Sequence, residues 1–208
     1  IDINNEYILA GGVSGGMWRS TDDGESWTMT TEPGDLHSVT AVAQDPTSPD
    51  IWYYGTGEKS GNSAQDASGG GALYLGNGIY KSEDGGESWD RLTFTASDIP
   101  NEVSRFDYTW TIKVSPVNGY VYVATWKGIE RSVNGGETFE LILAPEEPTG
   151  YYPNYTDIDI TTDGLLCATI GSEGDPEYMT NQSGIHVSED HGESWISITP
   201  PGFPSFYT

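Results

Sequence analysis

Short apolar stretches, each bounded by turn-forming residues, follow one another along the whole chain. Apolar and polar positions alternate at 39–44, 108–115 and 157–161, and runs of apolar and aromatic residues stand at 51–55, 120–125 and 165–170. The segments between them are rich in Pro, Asn, Asp and Gly, as in D-P-T-S-P-D at 45–50 and P-V-N-G at 116–119. This pattern predicts short β-strands joined by turns. No segment predicts a helix of useful length, so an all-β fold is indicated.

One eight-residue phrase occurs four times. It reads S-T-D-D-G-E-S-W at 20–27, S-E-D-G-G-E-S-W at 82–89, S-V-N-G-G-E-T-F at 132–139 and S-E-D-H-G-E-S-W at 188–195. An apolar or aromatic stretch precedes each copy and a short strand follows it, so the phrase predicts the turn of a β-hairpin. Two further strands precede the hairpin in the second, third and fourth units. Four antiparallel strands in a repeating unit of this length predict the blades of a β-propeller.

Each position of the phrase has a predicted structural role. Asp or Asn at the third position can accept hydrogen bonds from backbone N–H groups of its own turn, supported by the Ser at the first position. Gly at the fifth position can take a positive φ, and the closing aromatic can pack under the turn as a cross-strand anchor. The residues with these roles are Ser20, Asp22, Gly24 and Trp27; Ser82, Asp84, Gly86 and Trp89; Ser132, Asn134, Gly136 and Phe139; and Ser188, Asp190, Gly192 and Trp195.

The repeat also predicts the domain organisation. About four blades are expected, at residues 1–34, 35–97, 98–147 and 148–199, followed by a tail at 200–208. The first blade lacks an innermost strand, because only the stretch 7–10 precedes its hairpin. That strand is expected either from an upstream segment or from the C-terminus. The chain is therefore predicted to be a segment of a larger propeller, with further blades or domains of the same polypeptide as partners.

Composition and charge narrow the range of partners. The chain has 8 Lys and Arg against 32 Asp and Glu, a formal net charge of −24. Nucleic acid is a poor partner for such a chain, since phosphate binding needs clustered basic residues. No apolar run reaches the length of a membrane span, so membrane insertion is not expected. The single cysteine, Cys167, lies in the apolar run 165–170, which predicts a buried and inert thiol.

The phrase S-x-D-x-G-x-x-W resembles the Asp-box, or BNR repeat, of sialidases, xyloglucan-active endoglucanases, sortilin-type receptors and photosystem assembly factors, all of which are β-propellers. Three copies match fully, and the third departs at Asn134 and Phe139. The phrases at 11–22, 45–58 and 76–82 are similar to secreted bacterial proteins of the BNR-repeat, glycosyl-hydrolase-like kind. The resemblance implies a propeller in a secreted or cell-surface bacterial protein. It also implies that the repeated phrase is structural and lies on the outer rim, away from the functional face.

The resemblance leaves three functions open. Sialidases need an arginine cluster, but the chain has four arginines and no F-R-I-P motif. Xyloglucanases carry a catalytic Asp in a phrase like T-D-x-G-G-x-Y-R, and the matching stretch G-V-S-G-G-M-W-R has Val13 at that position. A non-catalytic scaffold that binds glycan or protein is the leading hypothesis. The alternatives are a xyloglucanase-like glycoside hydrolase with catalytic acids partly outside this chain, and a structural or secretion-associated domain.

Candidate binding residues lie in the irregular loops. Loops that join the second and third strands of a blade, and loops between blades, are predicted on one face of the propeller. Aromatic rings and carboxylates together suit a sugar, through stacking and hydroxyl contacts, although the same tyrosines could simply pack the loops. The candidate ligand-binding residues are Tyr74, Trp126, Arg105, Asp107, Tyr151, Tyr152, Tyr155, Glu173, Asp175 and Tyr178.

Two further acids are predicted on the wall of the central channel. Asp157 and Asp159 alternate on the innermost strand of the fourth blade and so share a face. Alignment of the blades places Thr111 level with Asp157 and Lys113 level with Asp159. Carboxylate oxygens suit Ca²⁺, so a calcium site is one hypothesis, and a Lys–Asp pair on a solvated wall is the other. No cofactor is otherwise required.

Overall fold

The computed structural model describes residues 1–4, 6–35, 38–61, 72–98, 104–144, 155–171 and 183–201. These residues form antiparallel sheets that follow one another along the chain, with one 3₁₀ turn at Arg105–Asp107. They contain no helix that is long and apolar enough to cross a membrane. The predicted all-β, propeller-type architecture is confirmed.

Each sheet corresponds to one predicted blade, and its strands lie in chain order from the inside outwards. Blade 1 has three strands: β1 (Ile8–Gly12), β2 (Gly16–Ser20) and β3 (Thr28–Met29). Blade 2 has β4 (Val39–Gln44), β5 (Trp52–Thr56), β8 (Ile79–Ser82) and β9 (Asp90–Arg91). Blade 3 has β10 (Thr109–Val114), β11 (Val121–Thr125), β12 (Gly128–Ser132) and β13 (Glu140–Leu143). Blade 4 has β14 (Tyr155–Ile160), β15 (Leu166–Gly171), β16 (Gly184–Ser188) and β17 (Ile196–Ser197).

One element was not predicted. The stretch after β5 is predicted as a loop. In the structure its two ends are strands, β6 (Glu58–Gly61) and β7 (Ala72–Tyr74), which pair with each other as a separate two-stranded ribbon. Glu58 pairs with Tyr74 at its base. The sequence between these strands is rich in Gly and Ser and shows no alternation, so its pattern gave no strand signal. The ribbon extends blade 2 on the side where β5 ends.

Stacking of neighbouring sheets forms the core. Every residue of β5, β11 and β12 is buried, because these middle strands are covered by a sheet on each side. One cluster joins blades 1 and 2 through residues such as Met17 and Tyr54. A second joins blades 2 and 3 through Tyr53 and Val123, and a third joins blades 3 and 4. The blades are therefore held together by apolar contact between sheet faces.

The four copies of the phrase, here called the repeated turns (residues 20–27, 82–89, 132–139 and 188–195), join the third and fourth strands as predicted. In the second turn, Asp84 Oδ1 accepts the backbone N–H groups of Glu87 and Ser88 at 3.0 Å each. The Ser82 hydroxyl accepts the N–H of Gly86 at 2.8 Å and donates to Asp84 Oδ1 at 2.7 Å. Partial burial alone would raise the pKa of the Asp84 carboxyl, but the hydrogen bonds from Ser88, Ser82 and Glu87 together outweigh it and lower the pKa.

Two successive residues of each repeated turn have a positive φ. The fifth-position glycine does so in all four turns, as predicted, with φ of 90° at Gly24 and 83° at Gly86. The fourth-position residue does so as well, including the non-glycine residues Asp23 and His191 at 58° and 62°. Asp and His tolerate this region better than branched residues do. The carbonyl groups of the fourth residues Gly85, Gly135 and His191 accept hydrogen bonds from Arg19, Tyr53 and Arg131 of the preceding blade.

The closing aromatic of the repeated turn does more than anchor its own hairpin. It lies on the sheet face that meets the preceding blade. Trp89 Nε1 donates to Thr30 Oγ1 of blade 1 at 3.0 Å, and the Phe139 ring is 6.2 Å from that of Phe94 of blade 2. Trp27 belongs to the first blade and is 39% exposed.

The prediction that Cys167 is buried is wrong. Cys167 is exposed, because it points to the face of blade 4 that no described sheet covers, whereas its neighbours Leu166 and Ala168 point towards blade 3. Partial desolvation raises the pKa of the thiol, and the negative charges of Asp159 and Asp157 raise it further. Successive side chains of β15 point to opposite faces of the sheet, so only those that point towards blade 3 are covered.

Candidate functional site

The connections between the second and third strands of a blade and the connections between blades share one face of the structure, here called the loop face. Because the strands are antiparallel, connections between the second and third strands and connections between blades end on the same side. This side holds the β6–β7 ribbon, the β11–β12 turn at Trp126 and the 3₁₀ turn at Arg105–Asp107. The repeated turns lie on the opposite side, as the resemblance implied.

Trp126 lies at the junction of blades 2 and 3 on the loop face and is only 6% exposed. Its indole Nε1 donates to the carbonyl of Ser104 at 2.9 Å. The ammonium groups of Lys59 and Lys127 lie 4.2 and 4.6 Å from its ring centroid, and such contacts are favourable cation–π interactions. The ring that the sequence suggested as a stacking platform is therefore covered by protein atoms. Through these contacts the Trp126 ring holds two lysine ammonium groups close together on an otherwise acidic chain.

Arg105 forms an ion pair across the same junction. Its Nε atom is 2.9 Å from Oε1 of Glu130, a residue of β12 that is fully buried. Burial raises the pKa of the Glu130 carboxyl to about 7, and the Arg105 charge opposes this effect. Sequence analysis missed Glu130, because a charged residue in a strand gives no sign that its neighbours will bury it. Arg105 keeps one third of its side chain in solvent.

Asp107 has a structural position. It is fully buried, and its carboxylate accepts the N–H of Ser104 at 3.1 Å in a capping box around the 3₁₀ turn. Its carbonyl accepts the N–H of Gly76 at 2.8 Å. A Cβ atom at Gly57 would lie 2.0 Å from that carbonyl oxygen, so this glycine permits the close approach. The 3₁₀ turn is therefore hydrogen-bonded to Gly76 of blade 2, and the preceding Ser104 is hydrogen-bonded to Trp126 of blade 3.

The other predicted ligand residues are placed as follows. Tyr74 and Tyr155 are both half-buried, Tyr74 on the ribbon and Tyr155 at the start of β14, where its ring is 5.8 Å from that of Trp110. The structure therefore brings Arg105, Asp107 and Trp126 together and leaves Tyr155 beside the inner strands. Five predicted residues lie outside the described residues: Tyr151, Tyr152, Glu173, Asp175 and Tyr178.

The polar column on the inner strands has the predicted alignment. Thr111 donates to Asp157 Oδ1 at 2.6 Å, and Lys113 Nζ is 3.0 Å from Asp159 Oδ1. The hydrogen bond from Lys113 is the main cause that lowers the pKa of Asp159. The two inner strands β10 and β14 are thereby connected through side chains on the channel side.

In the described part of the chain, no group of three or more His, Cys, Asp or Glu side chains is arranged to hold a metal ion. The Asp159 carboxylate is engaged by an ammonium group, which already supplies the positive charge that a cation would bring. Calcium at Asp157 and Asp159 stays a prediction, and it requires displacement of Lys113.

A cavity of about 530 Å³ lies beside the polar column. Inner strands β4 and β10 form its walls, and it has the volume of a small-ligand site. Its lining combines Gln44, Thr111 and Lys113 with the edge of Trp110 and the side chain of Val42. The indole Nε1 of Trp110 is buried and has no hydrogen-bond partner among the described residues. The side-chain amide of Gln44 is already hydrogen-bonded to Ile3, Asp2 and Pro49, and the Thr111 hydroxyl donates to Asp157. The side chain of Trp110 is therefore the main contact that this cavity could offer to a ligand.

Proton-transfer chemistry is poorly supported by the described acids. A glycosidase needs one carboxylic acid with a raised pKa and a second carboxylate across the bond. The carboxyl of Asp159 has a lowered pKa, and Glu130, whose pKa is raised, is fully buried. Val13 lies at the β1–β2 turn on the loop face and has no group that exchanges protons. The geometry supports binding better than acid catalysis by these residues.

Comparison with known proteins gives a consistent set of relatives. No family model matches the chain. It is similar to the xyloglucanase Xgh74A of Acetivibrio thermocellus, at 28% identity over an alignment that covers 99% of this chain and 26% of that protein. A xyloglucanase of Paenibacillus sp is 26% identical, covering 96% of this chain and 20% of that protein. The chain spans about a quarter of the length of these curated relatives.

Solved structures show the same fold. An ancestral GH74 enzyme superposes with a TM-score of 0.69 at 21% identity, over 94% of this chain and 24% of that one. The GH74 xyloglucanase of Xanthomonas campestris gives a TM-score of 0.58 at 17% identity, over 96% of this chain and 29% of that one. YCF48 bound to D1 peptide gives 0.53 at 16% identity, over 93% and 51%. The chain therefore has the fold of part of a propeller that is found in glycoside hydrolases and in other proteins.

Proposed function

We propose that this chain is the glycan-binding part of a secreted glycoside hydrolase of the xyloglucanase type. The observation that supports this most is the alignment of 99% of the chain with a xyloglucanase at 28% identity. The ligand class is then a β-glucan of the xyloglucan kind. The acids that transfer protons are then supplied partly from outside these 208 residues, because Val13 stands where the similar phrase carries a catalytic Asp.

The structure offers two surfaces for the polysaccharide. The loop face presents the half-buried Tyr74 near the positive cluster of Lys59 and Lys127. The inner cavity is lined by Trp110, Thr111 and Lys113. Neutral sugars are recognised by apolar ring faces together with hydroxyl and amide partners. Binding on a rigid scaffold through its loops is the usual arrangement.

A non-catalytic glycan receptor is the second candidate. It is favoured by the same Val13, since a binding protein needs no proton donor. Both candidates predict binding of xyloglucan by this chain. They differ in whether the natural polypeptide that contains the chain releases reducing ends.

The test uses electrophoresis in gels that contain xyloglucan, together with a reducing-end assay. We expect the chain to be retarded, and the natural polypeptide to be retarded and to release reducing ends. Tyr74→Ala should weaken retardation about fivefold, since loss of an aromatic contact costs about 1 kcal/mol. Tyr120→Ala removes the same side chain from the opposite face and serves as the matched control.

The outcomes separate the two candidates. Retardation without release of reducing ends by the natural polypeptide favours the receptor. No retardation of either protein, with the fold intact by circular dichroism, contradicts glycan binding altogether. Equal retardation of the Tyr74 and Tyr120 variants would remove the loop face from the proposal and leave the inner cavity.

A further inference from the structure

Three of the eight basic residues of the chain meet on the loop face, at the junction of blades 2 and 3. Lys59 Nζ and Lys127 Nζ lie 4.2 and 4.6 Å from the centroid of the Trp126 ring. The indole of the same ring donates to the carbonyl of Ser104 at 2.9 Å, which places Arg105, the next residue, beside it. Lys59, Arg105 and Lys127 are here called the basic cluster. Its members come from the β6–β7 ribbon, the 3₁₀ turn and the β11–β12 turn.

The other five basic residues have a different environment, because each forms an ion pair with an exposed carboxylate at 2.6–3.4 Å. The pairs are Arg19 with Glu87, Lys81 with Glu83, Arg91 with Asp98, Lys113 with Asp159, and Arg131 with Glu140 and Glu193. In the basic cluster, Arg105 pairs with Glu130 at 2.9 Å, and this carboxylate is fully buried. The pair uses Nε of Arg105, so the two Nη atoms of this partly exposed side chain can bind a further acceptor.

The acidic residues beside the basic cluster are buried or directed away from it. Glu130 and Asp107 are fully buried, and the Asp107 carboxylate caps the 3₁₀ turn. Glu58 precedes Lys59 on β6, where successive side chains point to opposite faces. The two ammonium groups at the Trp126 ring repel each other, and partial burial strengthens this repulsion. A negatively charged group of a ligand placed between them would lower the electrostatic energy.

We infer that the basic cluster binds a carboxylate of the glycan ligand, as in a polysaccharide that contains uronic acid residues. The planar guanidinium group of Arg105 can bind both oxygen atoms of a carboxylate, and the two ammonium groups supply further charged donors. Tyr74, which pairs with Glu58 at the base of the ribbon, lies close to Lys59 and offers an aromatic ring to the adjacent sugar. The inference rests on the proposed function for the glycan and adds an acidic substituent to the ligand. Since the chain carries a net charge of −24, a preference for an acidic glycan requires such a local site.

Gel retardation of the natural polypeptide by two forms of xyloglucan tests this subsite. One form is unmodified, and in the other form part of the primary alcohol groups has been oxidised to carboxylates. We expect about tenfold tighter binding of the oxidised form at low salt, from a little over twofold for each of the three charges, and a weaker preference at high salt. Lys59→Gln with Lys127→Gln should reduce the preference about fivefold. Lys81→Gln with Arg91→Gln removes two charges beside the second repeated turn, on the opposite side, and is the matched control.

The outcomes distinguish this inference from the proposed function. Equal binding of both forms overturns the carboxylate subsite and leaves glycan binding in place. Binding of the oxidised form alone supports the subsite and contradicts a neutral xyloglucan ligand, whereas binding of neither form contradicts both. If the two double variants keep or lose the preference to the same extent, the preference does not come from the basic cluster and the inference is overturned. Should a double variant fail to fold, Lys127→Gln against Lys81→Gln gives the same comparison, with an expected difference of about twofold.

Discussion

The buried ion pair between Arg105 and Glu130 should make the protein less stable as the pH rises. Glu130 is fully buried at the junction of blades 2 and 3, while Arg105 retains access to water. We consider Glu130→Gln, which has nearly the same shape and resembles the protonated acid. Removal of a salt bridge is commonly expected to destabilise a protein. Here the cost of desolvating the carboxylate is the larger effect, so Glu130→Gln is expected to stabilise the protein above neutral pH.

The magnitude follows from the pKa of Glu130. Burial raises it from the ordinary 4.5 to about 7 in the folded protein. Between these pH values the folded state holds the proton more tightly than the unfolded state, so unfolding becomes easier as the pH rises. Each pH unit of that difference is worth about 1.4 kcal/mol, which gives a total of about 3 kcal/mol. This stability is present below pH 4.5 and is lost as the pH rises through about 7.

Urea denaturation across this pH range measures the effect. At the acid end, wild type and Glu130→Gln should have similar free energies of unfolding. At the alkaline end the variant should be more stable, by up to about 3 kcal/mol. Glu137→Gln removes an exposed carboxyl from the repeated turn of the same blade and is the matched control, which should follow the wild type.

The reasoning would be refuted by parallel stability curves for wild type and Glu130→Gln. Such curves would mean that the attraction of Arg105 fully offsets the desolvation of the carboxylate. A variant less stable than wild type throughout would show that the ion pair is net stabilising.

Two further predictions concern the turns and the thiol. Asp84→Ala removes the acceptor of the Glu87 and Ser88 N–H groups. Since the turn is exposed, we expect a loss of about 1–2 kcal/mol, measured as a lower thermal midpoint that Asp90→Ala does not show. Cys167 should react with a maleimide in the folded protein, more slowly than free cysteine because its pKa is raised. Reaction only after denaturation would contradict the exposed position.

The repeated turn shows how much of this fold is local. Ser82, Asp84 and Gly86 form a turn whose hydrogen bonds run within five residues of sequence. The phrase and the alternating strands around it therefore predicted the blades directly. The β6–β7 ribbon was not predicted, because its strands pair across a long Gly- and Ser-rich segment that has no alternation of its own.

The candidate site was less predictable than the fold. The sequence aligned Thr111 and Lys113 with Asp157 and Asp159, because strands of neighbouring blades start from equivalent points. It also grouped Trp126 with the loop residues as an exposed ring. The ring is in fact covered by two lysines, one of them from another blade, and no local pattern encodes that contact.

By itself the sequence determined the all-β class, the four repeated turns and the position of most strands, because turn hydrogen bonds and strand alternation depend on neighbours in the chain. Only the tertiary structure decided the burial of Glu130, the exposure of Cys167 and the hydrogen bonds from blades 1, 2 and 3 to the repeated turn of the next blade. These properties depend on which sheet face meets which. That pairing joins residues some sixty positions apart and leaves no periodic signal in the sequence.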